Sequence, residues 1–311
     1  MTTILFAAKS ERWDTYETPL RTALSEVGLG KATLTTEADP AEVDYIVYAP
    51  NSGLTDFTPY TRLKAVLNLW AGVEDVVGNP TLNVPLARMV DAGLTEGMVE
   101  WVTGHVLRHH LGMDRYIHGQ DGVWRAGTAP PLARDRTVAM LGLGELGSAA
   151  ARMLAQLNFR TLGWSRSPKE IAGVETHHGP DGLDTVLKQA EIAVLLLPDT
   201  PATENTLDAG RLALMPEGAV ILNPGRGPLI DDDALIAALD SGRIGHATLD
   251  TFRTEPLPAD HPYWAHPRVT VTPHIASETR APSASRAIAE NIRRGEAGEP
   301  FLHLVDRGRG Y

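Results

Sequence analysis

Three polar residues in the second half of the chain have the types needed to grip a carboxylate and deliver a proton: Arg226, Glu255 and His274. Arg226 stands in a Gly-x-Gly turn of NPGRGP, directly behind an apolar strand-like run. A guanidinium offers a planar fork of donors that matches carboxylate oxygens. The flanking Gly225 and Gly227 are expected to leave it unshielded. In LDTFRTEPLP, Asp250 follows another strand and Glu255 lies in the loop beyond it. His274 follows the last strand, behind Pro273, in VTVTPHIASETR. A carboxylate beside an imidazole favours its charged form, so a Glu255–His274 pair would supply a proton donor. Glu255 and His274, each taken alone, read as structural. Their shared position at strand ends, where open α/β sheets bind ligands, points to one reactive crevice.

The chemistry needs a partner, and VAMLGLGELGSAAARML (138–154) supplies its site. Gly142, Gly144 and Gly147 complete G-x-G-x-x-G between an apolar strand and a helix-forming run. The first glycine permits the tight turn, the second admits a pyrophosphate, and the third lets helix and strand pack closely. The following strand, Arg160–Trp164, ends in Ser165, Arg166 and Ser167, with no carboxylate at its tip. An NAD site would place Asp or Glu there; two hydroxyls around a guanidinium suit a 2′-phosphate. NADPH is therefore expected over NADH.

The elements that must position these groups follow from the apolar rhythm. Ile4–Ala8, Pro19–Val27, Tyr45–Tyr48 and Lys64–Leu69 alternate strand and helix patterns, as parallel βαβ units do. A second series runs from Thr137 through Ile192–Leu197, Ala219–Leu222, Ala247–Leu249 and Val269–Val271. Between the two, Glu96–His118 carries apolar residues at helical spacing and predicts one long helix. Gly119–Arg136 is an arm or loop, and Ala284–Arg294 is again helical. The fold class is α/β, with two doubly wound parallel sheets. At 311 residues two domains are expected.

Composition narrows the function further. Hydrophobic residues make up 43% and charged residues 22%, as in ordinary globular proteins. A net charge of −11 argues against nucleic acid and against anionic membranes as partners. No apolar run spans a membrane and no signal peptide is evident, so the cytoplasm is expected. The absence of cysteine removes disulfides and thiolate chemistry. Asp231–Asp233 precede ALIAALDSG and read as helix caps rather than a metal cluster. His105, His109 and His110 lack an H-E-x-x-H pattern and a third ligand, and read as packing or surface residues; no metal is expected. His177 and His178 read as part of a polar loop. Motifs of serine hydrolases, P-loop NTPases and calcium sensors are missing.

Taken in order, LGLGELGSAAARML, LGWSRS, LLLPDTPATENTL, NPGRGPLIDDDALIAALDSG, LDTFRTEPLP, HPYWAHPRVTVTPHIASETR and VDRGRGY resemble the D-isomer-specific 2-hydroxyacid dehydrogenases, and most of all their bacterial glyoxylate/hydroxypyruvate reductase A branch. The resemblance implies a catalytic Arg226, Glu255 and His274, and NADPH-dependent reduction of a small 2-oxo acid to its D-2-hydroxy acid. It implies that Trp70, Ala71, Gly72 and Val73 hold the substrate with Arg226 and His274, and that Asp250 contacts the nicotinamide. Glu145, Leu146, Leu197, Pro198, Thr200, Pro224, Gly225 and Ser277 would line the cofactor with the glycines and the Ser165–Ser167 tip. It further implies two Rossmann-like domains, the larger cofactor domain (95–278) inserted in a smaller substrate domain (1–94 and 279–311), and a homodimer. The chain departs from relatives at Trp70, where Gly is common, and at Pro224, where Ala is usual. Two competing readings are an NADP-binding redox sensor of the same fold and a family dehydrogenase with another substrate.

Overall fold

The computed structural model describes residues 1–124, 126 and 129–310. The chain divides into two compact units, Met1–Leu94 with Thr279–Tyr311, and Thr95–Glu278. In chain order the first contributes β1 (Thr3–Ala7), α1 (Ser10–Glu26), β2 (Thr33–Thr35), β3 (Tyr45–Tyr48), β4 (Ala65–Asn68), α2 (Glu74–Val77) and β5 (Leu86–Ala87). Helix α3 (Ala92–His110) begins there and continues into the second unit. That unit adds α4 (Asp114–Ile117), β6 (Thr137–Leu141), α5 (Glu145–Gln156), β7 (Arg160–Ser165), β8 (Glu175–His178), α6 (Gly179–Leu187) and β9 (Ile192–Leu195). It ends with α7 (Ala209–Leu214), β10 (Ala219–Asn223), α8 (Asp232–Asp240), β11 (Ile244–Leu249) and β12 (Val269–Val271), after which α9 (Ala281–Glu296) returns to the first unit.

Among the described residues each unit holds one all-parallel sheet, ordered β2-β1-β3-β4-β5 in the first and β12-β11-β10-β9-β6-β7-β8 in the second. Parallel strands need crossover helices, which cover both faces and make the central strands apolar throughout. YIVY of β3, TVAML of β6 and IAVL of β9 are accordingly buried at every position. One face of the first sheet packs Ile4, Val47 and Leu67 against α1 and α9, the other packs Ile46 and Val66 in a core with Val76 of α2. In the second, Leu141, Leu195 and Ile221 face one core while Val138, Met140 and Val194 face another with α3 and α5. The strand order reverses between β6 and β9, whose register pairs Leu141 with Leu195. That reversal puts a crevice at their carboxyl ends. Among the described residues, no helix is long and apolar enough to cross a membrane.

Three elements differ from the sequence expectation. The long helix expected over 96–118 stops at His110; Gly112, at φ +61°, breaks it before the short α4. Helix α1 starts nine residues earlier than its apolar pattern suggested and carries Pro19 in its interior. There the buried Tyr16, Leu20, Ala23 and Leu24 outweigh the lost backbone bond. His177 and His178, expected in a loop, form the end of edge strand β8, paired with Trp164 and Ser165. Within 119–136, Arg125, Gly127 and Thr128 lie outside the described residues, as does Tyr311 of VDRGRGY.

Candidate active site

Arg226, Glu255 and His274 all belong to the second unit, on the loops that leave β10, β11 and β12. His274 Nδ1 lies 2.7 Å from Glu255 Oε2. The other carboxylate oxygen, Oε1, accepts the Phe252 N–H at 2.9 Å, which fixes the carboxylate in the loop. Burial opposes ionisation of Glu255, but hydrogen bonds from His274 and Phe252 and the positive charges of His274 and Arg226 prevail. Its carboxyl therefore sits below the usual value. The imidazole is half exposed, the carboxylate about one-third.

His274 has φ +54°, a conformation that non-glycine residues rarely adopt. Asp250 holds it there. The His274 N–H donates to Asp250 O at 2.8 Å; Ile275 N–H and Thr272 Oγ1 donate to Asp250 Oδ1, and Ala276 N–H to Oδ2. The carboxylate is 0% exposed and serves as the frame of the histidine loop. The sequence marks it as a strand-end Asp to which the resemblance gives a nicotinamide contact; the turn it organises depends on residues 22 to 26 positions away.

Arg226 is set by Asn223 at the end of β10. The Asn223 side chain donates to Arg226 O at 2.8 Å and accepts from the Gly225 N–H at 3.2 Å. Asn223 is buried and escaped the sequence reading, although Asn before Pro is a turn signal in its own right. The flanking glycines have a reason other than shielding. A Cβ on Gly225 would lie 2.8 Å from Leu195 O, and one on Gly227 would lie 2.0 Å from the Phe252 carbonyl carbon. The arginine turn thus sits directly on the segment that leads to Glu255.

The glycine fingerprint lies at the strand-order reversal. Gly142 has φ +109°, and a Cβ there would lie 2.4 Å from Leu196 O. A Cβ on Gly147 would come within 1.9 Å of Gly142 O, so α5 can approach the turn only without one. A Cβ on Gly144 would meet open space. That openness would let a pyrophosphate reach backbone, and α5 starts at once with Glu145 and Leu146. The residues therefore fit a dinucleotide. At the tip of β7, Ser165 Oγ donates to Ser167 O at 2.7 Å and is largely buried, so Arg166 and Ser167 form the exposed part. Leu197, Pro198 and Thr200 lie on the loop after β9, where Thr203 Oγ1 donates to Pro198 O. Pro224 follows β10, and Ser277 Oγ would stand 3.0 Å from a Cβ on Gly97.

Trp70, Ala71, Gly72 and Val73 form the loop after β4 in the first unit, with Trp70 exposed and Val73 buried. Asp231 accepts the Ala234 N–H as the cap of α8, while Asp232 accepts the Tyr263 hydroxyl. No group of three or more His, Asp or Glu side chains among the described residues is placed to hold a metal. His109 and His246 pack ring to ring at 4.9 Å, hydrogen-bonded to Thr248 and Thr270.

Residues 102–276 match the family described as D-isomer specific 2-hydroxyacid dehydrogenase, NAD binding domain. Glyoxylate/hydroxypyruvate reductase A of Yersinia enterocolitica is 36% identical over 284 residues, 88% of this chain and 89% of the relative. A D-isomer specific 2-hydroxyacid dehydrogenase from Xanthobacter autotrophicus Py2, solved with NADPH and MES, superposes with a TM-score of 0.92 at 40% identity, covering 100% of this chain and 99% of that one. The NADPH-dependent glyoxylate/hydroxypyruvate reductase of Sinorhizobium meliloti, solved with NADP and sulfate, gives 0.86 at 33% identity, with both chains fully covered.

Proposed function

The chain belongs to the D-isomer specific 2-hydroxyacid dehydrogenase family, and from that premise we propose that it reduces glyoxylate, hydroxypyruvate or a close 2-oxo acid to the D-2-hydroxy acid. It is an NADP-dependent oxidoreductase of the glyoxylate/hydroxypyruvate reductase A branch. Bound NADPH supplies two electrons and one hydrogen to the carbonyl carbon. Every other part of the reaction falls to side chains and backbone of this protein.

Arg226 grips the carbonyl oxygen and a carboxylate oxygen with its fork, polarising the carbonyl. His274 gives its Nε2 proton to the carbonyl oxygen as that oxygen gains charge. Glu255 holds the ring through Nδ1 and compensates its positive charge. The backbone N–H groups of Ala71, Gly72 and Val73 take the substrate carboxylate. Gly144 and the start of α5 hold the pyrophosphate, and Arg166 with Ser167 the 2′-phosphate. The product is the hydroxy acid and NADP, with one proton drawn from solvent through His274.

The observation that carries this reading is the 2.7 Å Nδ1–Oε2 bond, which fixes the ring orientation that a proton donor needs. A redox sensor would need the dinucleotide site but no such pair. We also propose a homodimer, supported by the exposed Leu111, Met113, Tyr116, Ile117 and Trp124 around α4. The test is loss of NADPH absorbance with a panel of 2-oxo acids, run with NADPH and NADH in parallel. Turnover should be fastest with a small 2-oxo acid and NADPH. Replacing His274 with Ala should then lower kcat by about 10²–10⁴ with NADPH binding intact. Near-native turnover in that variant, or equal use of both cofactors, would contradict the assignment.

A further inference from the structure

We propose that Asn68 is the positioning residue of the Trp70–Val73 loop, holding its backbone N–H groups outward for a substrate carboxylate. The inference rests on the carboxylate-binding role given to that loop above. Asn68 ends β4 and is 1% exposed. Its amide nitrogen donates to two loop carbonyls, Trp70 O at 3.0 Å and Gly72 O at 2.8 Å. Two carbonyl acceptors leave the nitrogen as the only atom of the amide that can face them, which fixes its orientation.

Two further bonds pull the same way. The Met89 N–H donates to Trp70 O at 3.0 Å, and Thr279 Oγ1 donates to Leu69 O at 2.9 Å. The peptide bonds of this loop are trans, so each N–H points opposite to the carbonyl of its own peptide plane. Turning Trp70 O and Gly72 O inward therefore turns the N–H groups of Ala71 and Val73 outward. Among the described residues, neither N–H has a protein acceptor. Two outward N–H groups on either side of Gly72, with no internal partner, form a concavity suited to a carboxylate.

The side chain keeps this arrangement at a cost that shows what it is for. Asn68 Oδ1 is buried and has no hydrogen-bond partner in the protein. A residue needed only to fill space at the end of a strand would be apolar, because a lone buried oxygen weakens the fold. The two donations are what an apolar residue could not supply. Asn68 acts on the substrate through the loop; it does not touch the reacting atoms.

The test compares Asn68→Ala, Asn68→Asp and Thr279→Val with the wild type. We expect both Asn68 variants to raise KM for glyoxylate by about tenfold or more, with kcat at saturation and KM for NADPH within about twofold, because binding that is equal in ground and transition states is lost. Asp keeps the shape of Asn but replaces two donors by acceptors, so it should be at least as damaging as Ala. Space-filling alone would leave Asp near the wild type and would overturn the proposal. So would a kcat lowered and an NADPH KM raised as much as the glyoxylate KM, or a lowered Tm with KM unchanged. If the Asn68 variants do not fold, Thr279→Val carries the same test through Leu69: a raised glyoxylate KM supports the proposal and an unchanged one overturns it. A wild-type enzyme inert toward every 2-oxo acid would instead remove the reading beneath it.

Discussion

Gly227 has no room for a methyl group. With the Phe252 carbonyl carbon 2.0 Å from its Cβ position, the arginine turn and the Glu255 loop are in backbone contact. Gly227→Ala must push them apart, and overpacking of this kind costs about 1–3 kcal/mol. Because the displaced segment carries Phe252, whose N–H holds Glu255 Oε1, the strain falls on the Glu255–His274 pair as well. The expected outcome is a reduced kcat in steady-state kinetics together with a lowered denaturation midpoint. A loss of stability with kcat unchanged would show that the two loops are mechanically independent. Asn223 and Asp250 act at the same scale, one beneath the arginine and one beneath the histidine.

At the scale of elements, α3 lies against β11 and β12 through polar contacts. His109 Nε2 meets Thr248 Oγ1 at 3.0 Å, His246 Nε2 meets Thr270 Oγ1 at 2.9 Å, and Arg108 bridges Thr270 and Asp114. Burial first, then the neighbouring positive groups, lowers His109 to about 3 and His246 to about 4, from an ordinary 6.5. His105 is lowered for the same reasons, and Asp114 opposes the trend. Below pH 6.5 the unfolded chain takes up protons on these rings that the folded chain refuses until about pH 4 and below. Stability should therefore fall as pH drops through that window and be complete above it. His246→Gln should flatten the pH dependence of urea unfolding between these limits, and an unchanged slope would contradict this account.

Elements also explain what the sequence made legible. The strands inside each sheet are runs buried at every position, so β3, β6 and β9 stand out from composition alone. Edge strand β8 is ETHH, with no apolar face to betray it, and its pairing with β7 comes from tertiary context. The candidate site residues Arg226, Glu255 and His274 were readable because they stand at strand ends, where open α/β sheets bind ligands. Asn68 and Asn223 stand there too, but a buried Asn that folds a loop has the same one-letter signature as any turn residue.

For the whole molecule, the exposed apolar residues around α4 are what support the proposed dimer. Trp124 is 94% exposed, an unusual position for an indole on a monomer. Aromatic anchors of this size dominate interface energies, so Trp124→Asp should weaken self-association by about tenfold or more in analytical ultracentrifugation. A wild type that sediments as a monomer at micromolar concentration would refute the dimer.

The first unit is stitched from both ends of the chain, with Ala284, Ile288, Ala289 and Ile292 of α9 closing the core that Ile4 and Leu20 begin. A ribosome makes the strands of its sheet long before α9, the helix that covers them. One flank of that sheet stays bare until α9 is made, and by then every residue of the nucleotide-binding unit has already been added. The part made first is thus the part finished last. A nascent chain halted before residue 281 should carry a protease-resistant second half attached to a digestible beginning.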